Sequence, residues 1–150
     1  MKKYLIAFTI IVLAACTSGE TVPDEIELIP LNTEHQFSDV LRDSKTQLKT
    51  PVLYFTADWC PPCKAFKKTL KADEMKVVLV STQLIIVDVD NDPQGMADLY
   101  NVNAVPTFIK VGQDSSTIAR ITSSEWEEDI LENIAPVIDL FVNSDKYDRK

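Results

Sequence analysis

The chain alternates short apolar runs of strand length with stretches in which apolar residues recur every three or four positions. Pro51-Val52-Leu53-Tyr54-Phe55-Thr56 and Leu84-Ile85-Ile86-Val87-Asp88-Val89 are almost continuously apolar, the pattern of strands buried on both faces. Residues 26–31 suggest an edge strand limited by Pro23 and Pro30. Residues 105–111 form a strand that begins with a proline, where one is tolerated. Gly112-Gln113-Asp114-Ser115 then turns the chain into an antiparallel partner at 117–121. Between the strands, Phe37, Val40, Leu41 and Leu48 keep helical spacing behind Thr33 and Gln36, which have capping-box form. A second helix follows Cys60, with Phe66 and Leu70 inward and Lys64, Lys67, Lys68 and Lys71 toward water. Residues 73–81 continue as a further helical segment, with Val77-Val78-Leu79-Val80 also readable as strand, and Asp90-Asn91-Asp92-Pro93 turns into a short helix at 94–100. Ser124 and Glu127 form another capping box before a terminal helix striped by Trp126, Ile130, Ile134, Val137, Ile138 and Phe141. Pro136 is expected to kink or interrupt that helix. The sum is an α/β sandwich, a central mixed sheet with helices on both faces.

The first residues stand apart from this pattern. Met1-Lys2-Lys3 is basic, and an apolar run from Tyr4 to Ala15 follows that is too short to span a bilayer comfortably. Leu13-Ala14-Ala15-Cys16 ends the run and resembles the bacterial lipobox. That resemblance implies export, cleavage before Cys16 and lipid attachment to it; an ordinary signal peptide with Cys16 incidental is the alternative. The expected organisation is a signal peptide at 1–15, a polar tether at 16–25, a folded domain at 26–142 and a polar, frayed tail at 143–150.

Charge narrows the partners. The whole chain has 15 Lys and Arg against 23 Asp and Glu, a net charge of −8. Loss of Lys2 and Lys3 leaves 13 against 23, or −10. Nucleic-acid binding is not expected of such a surface. Of the three cysteines, lipid on Cys16 leaves Cys60 and Cys63. A two-residue gap closes too small a loop to act as a strong staple. It suits a redox switch: Cys60 at the start of a helix would face free N–H groups and the positive dipole end, which stabilise a thiolate. Zinc would want about four ligands, and His35 is the only histidine, so no metal and no cofactor are expected.

Ala57-Asp58-Trp59-Cys60-Pro61-Pro62-Cys63-Lys64 after an apolar strand, with Val105-Pro106-Thr107-Phe108 downstream, resembles the thioredoxin family over about residues 32–141. The resemblance implies a thioredoxin-like sandwich with Cys60 and Cys63 as a redox-active disulfide. It also implies support from Trp59, Pro61 and Pro62, a cis bond before Pro106, and substrate pairing along the backbone at Val105. Two departures accompany it. Tyr54 stands where the family usually has a buried aspartate, and Ile86 falls near its lysine. The docking-surface glycine has no clear counterpart near Ile121 and Thr122. The expected activity is dithiol exchange with disulfide-containing protein substrates, in the reducing direction, with a membrane thiol transporter as electron donor. A disulfide-forming oxidase and a redox-silent binding module are the alternatives.

Overall fold

The computed structural model of the protein describes residues 24–148. The lipobox and most of the tether therefore lie outside the described residues. Within them, five strands form one sheet: β1 (Leu28–Pro30), β2 (Thr50–Thr56), β3 (Thr82–Asp88), β4 (Thr107–Val111) and β5 (Thr117–Thr122). Their spatial order is β1-β3-β2-β4-β5. β3 pairs in parallel with both β1 and β2, while β4 runs antiparallel to β2 and to β5. The α-helices of the same region are α1 (Phe37–Thr46), α2 (Pro61–Thr69), α3 (Asp73–Val78), α4 (Met96–Leu99) and α5 (Leu131–Asn143).

Period-two alternation along the strands divides the core into two layers. Val52, Tyr54, Leu84, Phe108 and Ile121 face α2, α3 and α5, meeting Phe66, Met75, Ile134 and Phe141. Leu53, Phe55, Ile85, Val87 and Ile109 point the other way, to Phe37, Val40 and Leu41 of α1 and Met96 of α4. Residues 52–55 of β2 are each at most 1 % exposed. Burying each large apolar side chain there contributes about 1.5–3 kcal/mol. Central β2 ends at Thr56, and this burial holds the loop that leads into Cys60.

The architecture follows the sequence pattern; several local details do not. The edge strand is three residues long. Thr33 and Gln36 form no capping box: Gln36 precedes α1 without a side-chain cap, and Asn32 Oδ1 accepts from the N–H groups of Glu34 and His35. The Phe37 N–H instead donates to Oε1 of Gln94, 57 residues away, at 3.0 Å. Leu48 lies beyond α1, with φ of 56° and 89 % exposure. Ser124 belongs to a short 3-10 turn, Ser123–Glu125, so Trp126 and Ile130 precede α5. Pro136 lies inside α5 without interrupting it. The described part of the polar end, residues 143–148, is held rather than frayed: Lys110 Nζ donates to the Ser144 carbonyl and pairs with Asp148, and Tyr147 packs edge-on to Phe141.

Candidate active site

Cys60 and Cys63 meet at the C-terminal end of β2. Cys60 is the N-cap of α2, and Pro61 and Pro62 fill its first two positions. Prolines are tolerated there because an N–H in the first turn has no helical partner. The third position is Cys63, whose N–H points back to Cys60 Sγ at 3.2 Å. One helix start thus brings both thiols together. They form a disulfide with Cα atoms 5.3 Å apart. Cys60 is 2 % exposed and Cys63 fully buried, packed with Ala57 and partly covered by Val89 and Val105.

The loop before β4 forms the opposite wall. The Val105–Pro106 peptide bond is cis, and Cys60 Sγ lies 3.5 Å from the Val105 carbonyl oxygen. Trp59 projects beside the pair, 64 % exposed. Its indole N–H donates to Asp90 Oδ2 at 2.8 Å, which fixes the exposed ring. In the sequence Asp90 has only the character of a turn residue. Its position just after β3, the strand beside β2, is what brings it to Trp59.

The family profile described as Thioredoxin matches residues 28–136. The chain belongs to the thioredoxin family. "Thioredoxin H-type" of Fagopyrum esculentum is 31 % identical over 114 residues, 75 % of this chain and 92 % of that protein. "Monothiol glutaredoxin-4" of Saccharomyces cerevisiae is 29 % identical over 101 residues, 67 % of this chain but only 40 % of that protein's length. Among solved structures, a mutant thioredoxin from Halobacterium salinarum NRC-1 superposes with a TM-score of 0.53 at 21 % identity. It covers 88 % of this chain and 98 % of that one, a likeness of fold. Thioredoxin homologues are thiol–disulfide oxidoreductases, and this chain carries the cysteine pair that such exchange uses.

Behind the disulfide this chain departs from the family pattern, and the sheet shows how. The β2–β3 register sets Tyr54 directly beside Ile86. The expected acid and lysine positions are therefore neighbours, filled by a phenol and an aliphatic side chain. Tyr54 is fully buried, stacked on Phe108 at 4.8 Å and edge-on to Phe66 at 4.9 Å. Its hydroxyl donates to the Cys63 carbonyl at 3.2 Å, not to the sulfur. Burial pushes its pKa from 10.0 up to about 12, so it stays protonated through the neutral range. Asp58 is exposed and lies 3.6 Å from Lys67, one helical turn beyond Cys63. His35 is exposed before α1, and its carbonyl accepts from Gln94. Among the described residues no group of three or more His, Cys, Asp or Glu side chains could hold a metal ion. Nor is any described helix long and apolar enough to cross a membrane.

Proposed function

We propose that this protein is exported, anchored through lipid on Cys16, and reduces disulfides in protein substrates through Cys60 and Cys63. The observation that carries the exchange reading is the sulfur pair at the α2 N-terminus, facing the cis Pro106 wall. In the reduced protein, the Cys60 thiolate attacks one sulfur of a substrate disulfide. A mixed disulfide forms and the other substrate sulfur leaves as a thiolate. Cys63, once deprotonated, attacks Cys60 Sγ and expels the second substrate thiolate. Two electrons pass to the substrate, and Cys60–Cys63 is left oxidised. Trp59 and Val105 flank the place the substrate would occupy.

The reducing direction rests on how few donors reach Cys60. Pro61 and Pro62 have no N–H, so of the first three helical positions only Cys63 donates to Sγ. Weaker thiolate stabilisation favours the disulfide form and makes the dithiol the better reductant. The basic start and lipobox of the first 16 residues support export and anchoring. A reductant outside the cytoplasm needs electrons delivered across the membrane, and a membrane thiol transporter is the donor that fits.

Trapping tests the reading. With Cys63→Ala, mixed disulfides should accumulate on Cys60 in cells and release under reductant; with Cys60→Ser, reduction of a model disulfide should stop. If neither effect appears, the exchange mechanism is wrong. Equilibration with glutathione reads direction: a strongly oxidising potential would assign the protein to disulfide formation. Mass spectrometry of the mature chain tests the acyl group on Cys16.

A further inference from the structure

We propose that the pole of the domain opposite the cysteine pair rests on a lipid surface, so that Cys60 and Cys63 face away from the membrane. The inference rests on the lipid anchor proposed at Cys16. The parallel strands define the two poles. β1, β2 and β3 run in the same direction; Cys60 follows the C-terminal end of β2, whereas the chain from Asp24 enters β1 at the N-terminal end. The seven residues of β2 separate these poles by about 20 Å. From Cys16 to Asp24 the fully extended chain reaches at most about 28 Å. That reach exceeds the distance between the poles, so the tether confines the domain to the bilayer surface and the face the domain presents chooses the pole.

That pole exposes apolar side chains. Leu48 is 89 % exposed, Val77 53 % and Val80 50 %. They share one edge, because the Thr50 N–H donates to the Ser81 carbonyl at 2.8 Å, joining the residues just after Leu48 and Val80. The Val80 N–H donates to the Val77 carbonyl at 3.3 Å. Glu25 and Ile26 line one small cavity together with Lys49, Lys76 and Val80, so the chain arrives at the border of this apolar group. Lys49 pairs with Glu27, and Lys76 with Asp73 at 2.9 Å. Asn143 donates to the Val78 carbonyl, so the acidic C-terminal residues border the same group, and contact comes from shallow insertion of Leu48, Val77 and Val80 rather than from attraction to anionic headgroups. Three side chains bind weakly alone; the anchor makes their contact intramolecular and raises its effective concentration. In this pose an electron donor reaches Cys60 only by projecting from the bilayer by about the height of the domain. A thiol pair in the bilayer plane does not reach it.

The test uses the acylated full chain in phosphatidylcholine vesicles, with and without brominated acyl chains, and the variants Leu48→Trp and Val80→Trp. Trp59 at the far pole and the buried Trp126 provide the baseline. Insertion predicts that bromolipid removes about half or more of the added emission in both variants and a tenth or less of the parent's. Absence of quenching in both, with protein still floating with the vesicles, overturns the pose and leaves the anchor standing. Failure to float overturns both. A doubling of mass without vesicles, with blue-shifted Leu48→Trp emission, gives this face to a second copy of the chain and also overturns the pose.

Discussion

Tyr54 shows how one side chain redirects a mechanism borrowed from relatives. Its hydroxyl holds the Cys63 carbonyl while its ring fills the core between Phe66 and Phe108. A phenol held near 12 cannot take the Cys63 proton near neutrality, so Tyr54 does not replace the usual buried acid as its acceptor. Tyr54→Phe should therefore leave the pH profile of disulfide reduction unchanged between about pH 6 and 9. Its stability cost should be about 1 kcal/mol, one hydrogen bond. A shift of that profile would show that Tyr54 does take part. The alkaline limb has a definite sign. With the folded-state pKa raised from 10.0 to about 12, the unfolded chain loses the proton first, so stability is fully present below pH 10.0 and falls as pH rises toward 12. Tyr54→Phe should flatten most of that fall in denaturant titrations. Tyr100, also raised by burial, keeps the remainder. The substitution at position 54 was legible in the sequence. Where the hydroxyl points was not, because that depends on the α2 backbone packed above it.

At the level of elements, the helix starts teach most. Thr33 and Gln36 have the spacing of a local cap, yet Gln94 supplies the bond from the loop before α4. Its amide also donates to the Asn32 and His35 carbonyls. Gln94→Ala should cost about 1–2 kcal/mol in urea unfolding and speed amide exchange at Phe37; a loss indistinguishable from zero would mean that water replaces the cap. In α5, Pro136 is exposed and leaves the Glu132 carbonyl without its helical N–H donor. Pro136→Ala should raise thermal stability, by about 1–2 kcal/mol once greater freedom of the unfolded chain is set against helix propensity. A lowered melting temperature would show that the proline is needed where it stands. Periodicity found the strands within a few residues and each of the longer helices. It placed Trp126 and Ile130 in the terminal helix because their spacing fits, while the structure uses Trp126 before the helix to cover Phe108.

Across the whole molecule, the C-terminal residues close the sheet at the pole opposite the cysteines. Lys110 is buried on β4, with its side chain 7 % exposed and its ammonium on Asp148 and the Ser144 carbonyl. Asp148→Ala takes away the carboxylate that pairs with that ammonium, and should cost about 1–3 kcal/mol because Asp148 is itself partly solvated. Adding Lys110→Met should recover most of the loss. An unchanged melting temperature for Asp148→Ala would return residues 144–148 to the frayed tail that their polarity suggested. The α/β alternation, the buried β2 and β3, the dithiol at a helix start and the unusual Tyr54 were all readable from the chain alone. The first three follow from short-range rules: side-chain period, helix-end chemistry and the three-residue spacing of two sulfurs; that Tyr54 is unusual follows only from the resemblance to the thioredoxin family. That Gln94 caps α1, that Asp90 fixes Trp59 and that Lys110 holds the C-terminus came from the folded arrangement alone. Each joins residues about 30 or more positions apart, and their proximity follows from strand order, which no local pattern encodes. The Cys60–Cys63 pair needed both: its spacing is written in the chain, but its placement against cis Pro106 comes from the pairing of β2 with β4.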